Sequence, residues 1–347
     1  MKKNNNFLKT NELSDSTKSS LKTRIITAVV AALIAVPFIF LGDWFFGAIV
    51  AIITGMATYE VVHCSKVKLD IQHNIILYVV GIIFTELLTF WPFILNAKSF
   101  GSGEQIYHLY NHFPTIQISI IVAFIGACLL FTAVILHSRF EVKDTCFLFT
   151  TLIIVSLGMQ SLMFLRFIPS SGMFTLDANY RPIFNTVDCF EKSVLFIYVL
   201  LGTFATDIGA YFIGILFGKR KINERISPKK TYAGFVGGII ISTIVSFSFA
   251  MILSIFDIPL LQKEYSGLYP KNLLGRETWY LILILSVLLP IFSTLGDFVF
   301  SAIKRVYGIK DFSKLLPGHG GILDRLDSII FTMIAAAIFV SIVIKIA

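Results

Sequence analysis

The sequence predicts an all-α polytopic integral membrane protein of about nine transmembrane helices. Three observations carry that expectation. The chain is 56% hydrophobic and 14% charged, whereas a soluble domain carries about 25% charged residues. Its mean hydropathy is +0.82, and apolar runs of the length that spans a bilayer, about 20 residues, recur along it. The cations fall mostly between those runs, where they report orientation in the membrane.

The elements follow in order. Residues 1–24, rich in Asn, Lys, Ser and Thr, read as a disordered cytoplasmic tail. Nine spans follow, at roughly 25–41, 44–64, 74–95, 116–136, 145–168, 193–217, 233–255, 278–300 and 326–346. The first is read as a retained span and not a signal peptide, because the polar tail before it is long. Pro37, Pro92 and Pro290 fall inside spans and are expected to kink them. The five spans of residues 25–192 form an N-terminal region. The four of residues 193–347 form a second region with two basic loops.

Charge sets the expected topology. A cytoplasmic N-terminus places 21 of the 29 Lys and Arg on the inner side. That bias predicts N-in and C-out, with both highly charged loops facing the cytoplasm. The net charge of +8 does not indicate nucleic acid, because the cations are distributed among loops between spans. Cys64, Cys128, Cys146 and Cys189 form no CxxC pair, so neither a disulfide framework nor a zinc site is expected.

Two constellations carry chemistry. In the sixth span Asp207 stands inside apolar sequence, where a carboxylate is a functional hypothesis by default. Thr203, Asp207, Ala210 and Gly214 recur at helical spacing on one face. The following loop holds Lys219, Arg220, Lys221 and Arg225, then Ser227-Pro228-Lys229-Lys230-Thr231, then Gly234, Gly237 and Gly238. A rigid turn with two ammonium groups and two hydroxyls ahead of a glycine-lined helix start suits a polyphosphate. The bland alternatives are a packing carboxylate and generic positive-inside residues.

The second constellation runs from Asp297 to Ser328. Asp297, Ser301, Lys304 and Arg305 form one polar stripe on a helix. Lys310, Asp311 and Lys314 follow, then Pro317-Gly318-His319-Gly320-Gly321, a turn able to present backbone N–H groups to an anion. Asp324 and Asp327, at i and i+3, can point at one site, with Arg325 between them. Oxygen ligands of this kind suit Mg²⁺, which takes one or two protein carboxylates plus substrate phosphates. The bland alternative is an interfacial loop of solvated salt bridges.

Residues 301–328 resemble the signature of the CDP-diacylglycerol synthases, or phosphatidate cytidylyltransferases. The pattern is met at Ser301, Ile303, Lys304, Arg305, Lys310, Asp311, Ser313, His319, Gly320, Gly321, Asp324, Arg325 and Asp327. Asp207 with Gly209-Ala210-Tyr211, Phe217-Gly218-Lys219, residues 227–231 and Gly296-Asp297 are also similar to that family. The resemblance is strong over about 200–330 and vague over the first five spans. The chain departs at Ala233, where the family usually carries an acid.

The resemblance implies that CTP and phosphatidate react to give CDP-diacylglycerol and pyrophosphate with Mg²⁺, a second cation being left open. Asp297, Asp324, Asp327 and Lys304 are the expected catalytic residues. Asp297, Asp324 and Asp327, with Asp207, are the expected metal ligands. Ser227, Lys229, Lys230, Thr231, Ser301, Arg305, His319, Gly320, Gly321 and Arg325 are the expected substrate-binding residues. The implied location is a bacterial inner membrane with the site facing the cytoplasm; membrane lipid is a partner and a homodimer is left open. Three rivals stand beside this reading. They are a CTP-dependent lipid kinase, a cation-coupled transporter using Asp207 and Asp297 as an ion relay, and an inactive scaffold suggested by Ala233.

Overall fold

The computed structural model describes residues 43–65, 71–96, 113–136, 140–167, 186–265, 268–315 and 320–346, together with Val30, Leu33, Val36, Pro37, Ile39 and Phe40. Among the described residues, eight long helices run between these bounds: α1 Asp43–Cys64, α2 Ile71–Asn96, α3 Phe113–Leu136, α4 Val142–Phe167, α5 Thr186–Phe217, α6 Tyr232–Ile255, α7 Trp279–Val306 and α8 Leu323–Ile346. Seven are long and apolar enough to cross a bilayer. In α3 the described apolar stretch is Ser119–Ile135, somewhat shorter. The span expected at 25–41 lies largely outside the described residues, as does the N-terminal tail. Large apolar side chains such as Phe124, Ile135, Phe212 and Leu216 face outward. A water-facing surface would not carry them so densely, and the chain is an integral membrane protein.

Two small antiparallel hairpins interrupt the helices. The first, β1 Lys221–Asn223 with β2 Ser227–Thr231, pairs Lys221 with Thr231 and Asn223 with Ser227. The segment expected as a rigid turn is therefore a strand. The turn itself lies at 223–227, where Asn223 Oδ1 accepts from the N–H groups of Arg225 and Ile226 at 3.1 and 3.3 Å. The second hairpin, β3 Leu261–Tyr265 with β4 Leu268–Leu274, occupies the loop before α7. The regional boundary expected at 192/193 falls inside α5, which begins at Thr186. Helices α2 and α7 run on through Pro92 and Pro290.

Small residues set the closest helix pair, α5 with α6. A Cβ on Gly209 would lie 2.8 Å from Ile241, and one on Gly234 would lie 2.7 Å from the carbonyl oxygen of Ala210. Such positions let two backbones approach where lipid gives no hydrophobic drive to associate. Hydroxyls tie this pair and the other helices. Ser242 donates to the Gly202 carbonyl at 2.7 Å, Tyr198 and Ser286 share a bond of 2.7 Å, and Thr203 donates to Thr332 at 3.0 Å. Thr58 and Thr85 join α1 to α2 at 2.8 Å. A single apolar core runs through both halves, from Val61 and Leu152 to Leu285 and Val340.

The helices alternate in direction, so one end of the bundle gathers the loops that matter. Ser313 reaches Glu60 near the end of α1, Tyr307 packs against Phe147 near the start of α4, and Arg305 Nε donates to the Ile226 carbonyl of the first hairpin. The far end is marked by Arg166, in the last turn of α4. Its Nε and Nη2 donate to the Ile39 carbonyl at 3.2 and 2.8 Å.

Candidate active site

Four elements deliver charge to the gathered end: α5 brings Asp207, β2 brings Lys230, the end of α7 brings Asp297 and Lys304, and the start of α8 brings Asp324, Arg325 and Asp327. Successive strand residues point to opposite faces. Lys230 accordingly turns inward while Lys229 stays exposed. Lys230 Nζ lies 2.5 Å from Asp297 Oδ2 and 4.1 Å from the centre of the Phe298 ring. The other oxygen of Asp297 accepts from Ser301 Oγ at 3.1 Å, one helical turn on.

Lys304 forms the second centre. Its Nζ lies 2.8 Å from Asp324 Oδ1 and 3.9 Å from Asp327 Oδ2. Asp324 Oδ2 accepts from the N–H groups of Phe312 and Gly321, both at 2.9 Å. Asp327 Oδ1 accepts from the N–H of Ser328 at 2.8 Å. The two centres are one cluster. Asp297 and Asp327 lie within electrostatic reach of each other and of Asp207, which also feels Lys230 and Arg325. Gly296 makes this possible, because a Cβ there would collide with the carbonyl oxygen of Asp327.

The other expected residues take distinct places. Thr231 is buried, and its hydroxyl accepts from the N–H of Gly234 at 3.1 Å, capping α6. Its glycine-lined helix start packs on α5, so those glycines leave no open cradle there. Arg305 is exposed and holds the Ile226 and Ile309 carbonyls at 3.2 and 3.4 Å. Ser227 is half-buried and Arg325 exposed. Gly320 has φ +86°, a left-handed conformation that glycine adopts freely. His319 lies outside the described residues.

One expectation is corrected in part. Of the turn at 317–321 expected to present backbone N–H groups to a ligand anion, residues 317–319 lie outside the described residues, and the N–H of Gly321 goes to Asp324. The next two N–H groups, of Ile322 and Leu323, go to Glu60 at 2.9 and 2.8 Å. The first turn of α8 has its anions supplied by the protein. Glu60 was missed in the sequence. The signal was present: it is a lone acid inside an apolar span, the same observation that singled out Asp207.

Among the described residues, no group of three or more His, Cys, Asp or Glu side chains stands ready-made to hold a metal. Asp297, Asp324 and Asp327 each face a lysine. The donor chemistry nevertheless suits a hard cation. Asp207 accepts no hydrogen bond among the described residues, and Asp297 and Asp327 keep lone pairs beyond those engaged by lysine. Asp324 is the most committed of the four, its two oxygens holding Lys304 and two amides.

Comparison with known proteins extends over nearly the whole chain. The model of the cytidylyltransferase family matches residues 22–343. The chain is 30% identical over 315 residues to a protein of Bacillus subtilis (strain 168) named phosphatidate cytidylyltransferase, covering 90% of this chain and 95% of that one. A protein of the same name from Staphylococcus haemolyticus is 30% identical over 313 residues, covering 90% and 96%. One from Haemophilus influenzae is 38% identical over 144 residues, covering 42% of this chain and 44% of that protein.

Proposed function

The chain belongs to the cytidylyltransferase family, and from that premise we propose that it transfers the cytidylyl group of CTP to phosphatidate, giving CDP-diacylglycerol and pyrophosphate. The observation that carries this reading is the cluster of Lys230–Asp297 and Lys304–Asp324–Asp327 at one end of a membrane bundle. An oxygen of the phosphatidate phosphate forms a bond to the α-phosphorus of CTP. The bond from that phosphorus to the bridging oxygen breaks, and pyrophosphate leaves with the electron pair. The attacking oxygen is already anionic, so no strong general base is needed. The barrier is the approach of two anions, and catalysis is positioning and charge neutralisation.

The chain's residues divide that work. Lys230 and Lys304 hold phosphate oxygens, with Arg305 and Arg325 at the exposed rim. Asp297 and Asp327, with Asp207 and Asp324, are the residues to hold Mg²⁺. Held there, Mg²⁺ would supply positive charge against the nucleotide phosphates and the departing pyrophosphate. Ser301 orients Asp297 by its hydrogen bond. The site opens to the cytoplasm of a bacterial inner membrane, where a soluble nucleotide and a lipid can meet.

The test is to incubate purified protein in detergent with phosphatidate, Mg²⁺ and CTP labelled at the α-phosphate. Label is expected in the lipid phase, with one pyrophosphate released per labelled lipid. Release of CDP with unlabelled lipid would identify the lipid-kinase rival instead.

A further inference from the structure

We propose that Glu60, on the first long helix, is a positioning residue for the reaction, joining the N-terminal helices to the loop and helix start that carry the acidic cluster. This rests on the cytidylyl-transfer reading of the site. Glu60 is 1% exposed, inside an apolar helix. Among the described residues it pairs with no Lys or Arg. Its hydrogen bonds are all made to residues about 250 positions later. Oε1 accepts from Ser313 Oγ at 2.6 Å and from the N–H of Ile322 at 2.9 Å, and Oε2 accepts from the N–H of Leu323 at 2.8 Å. Ser313 Oγ in turn accepts from the N–H of Leu315 at 3.1 Å. One carboxylate therefore fixes both sides of the segment between α7 and α8.

The fit is close. A Cβ on Gly321 would lie 2.5 and 2.7 Å from the two oxygens of Glu60, so Gly321 is what lets the carboxylate reach the helix start. Two carboxylates thereby divide the N–H groups leading into α8: Asp324 takes Gly321, and Glu60 takes Ile322 and Leu323. Anions are favoured at a helix N-terminus, where the unpaired N–H groups point. Glu60 sets the rotation and depth at which α8 begins. It thereby sets where Asp324 and Asp327 stand relative to Lys304. It does not touch the charged cluster itself.

The test uses the full chain in detergent. Glu60→Gln replaces one acceptor by an NH₂ group facing an N–H donor. We expect kcat to fall by on the order of tenfold to a hundredfold, the scale of a lost charge-assisted hydrogen bond, with KM for CTP changed less than about threefold. Amide exchange at Ile322 and Leu323 should rise in the same variant, while α2 around Thr85 stays protected. Ser313→Ala, which removes one of the three donors, should lower kcat in the native background and add little in the Glu60→Gln background. It also serves as the probe if Glu60→Gln does not fold. Unchanged kcat in both variants, or exchange at 322 and 323 that stays native, would overturn the assignment. The exchange measurement does not use turnover, so it judges the Glu60 contact even if no cytidylyl transfer is found.

Discussion

Lys229 and Lys230 are neighbours of the same type, and the strand gives them different jobs. Lys230 turns in to Asp297, while Lys229 stays in water. Replacing Lys230 by Ala leaves Asp297 without its partner and removes a cation from the reaction centre. Turnover should fall by on the order of a hundredfold, as for loss of one preorganised electrostatic group. Lys229→Ala should cost less than about threefold, since an exposed charge is screened by solvent. Initial rates of label transfer in the two variants check this; equal losses would make both lysines generic surface cations. Asp297 with Lys304, and Asp324 with Asp327, are legible in the sequence as candidates because each pair shares a helical face; the fold brings the two pairs together. Glu60 was not legible as part of the site, because Ser313 and Ile322 lie 253 and 262 positions away from it. Spacing rules reach only a few turns along a helix, and only the fold brings that pair together.

At the scale of elements, the small residues on the Asp207 face of α5 are legible as a site of close approach, whereas the glycines of α6 are legible as small residues but not in their purpose. The sequence suggested a phosphate cradle at Gly234, Gly237 and Gly238. The structure packs them on Ala210, Ile213 and Thr206, so the glycines serve the helix pair. This has a measurable consequence. Gly234→Ala would place a Cβ 2.7 Å from a backbone oxygen, which cannot rotate away. Overpacking of this kind costs about 1–3 kcal/mol, and the purified variant should lose its fold at a lower temperature than the native protein. Gly47→Ala is the control. Its nearest neighbour would be Met163 at 3.8 Å, and alanine favours a helix over glycine by about 1 kcal/mol. That variant should melt no lower than the native chain. A melting temperature unchanged by Gly234→Ala would mean that α5 and α6 are not in close backbone contact. The strand at 227–231 escaped the sequence for a related reason, since Pro228 and two lysines lack the apolar alternation that marks a strand.

For the whole molecule, orientation is the property on which access to substrate depends. The number of spans alone cannot fix it, but the fold constrains it through parity. Helix α8 starts at the charged cluster and runs away from it, so Ile346 lies at the far end with the hairpin β3–β4. Ile39 also lies at that end, held by Arg166 in the last turn of α4. Of the loop cations that the charge count assigned to the inside, Lys219, Arg225, Lys310 and Lys314 lie at the opposite end with the cluster. Positive-inside bias and a nucleotide-using site thus make the same demand on one face. A reporter enzyme that works only outside the cytoplasm should be active when fused after Ile346 and inactive when inserted in the β1–β2 turn at Glu224. A reporter that works only inside should give the reverse pattern. If both fusions report the same side, the alternation of helices is wrong. If the pattern is inverted, the cluster faces away from the nucleotide pool, and the cytidylyl-transfer reading fails with it.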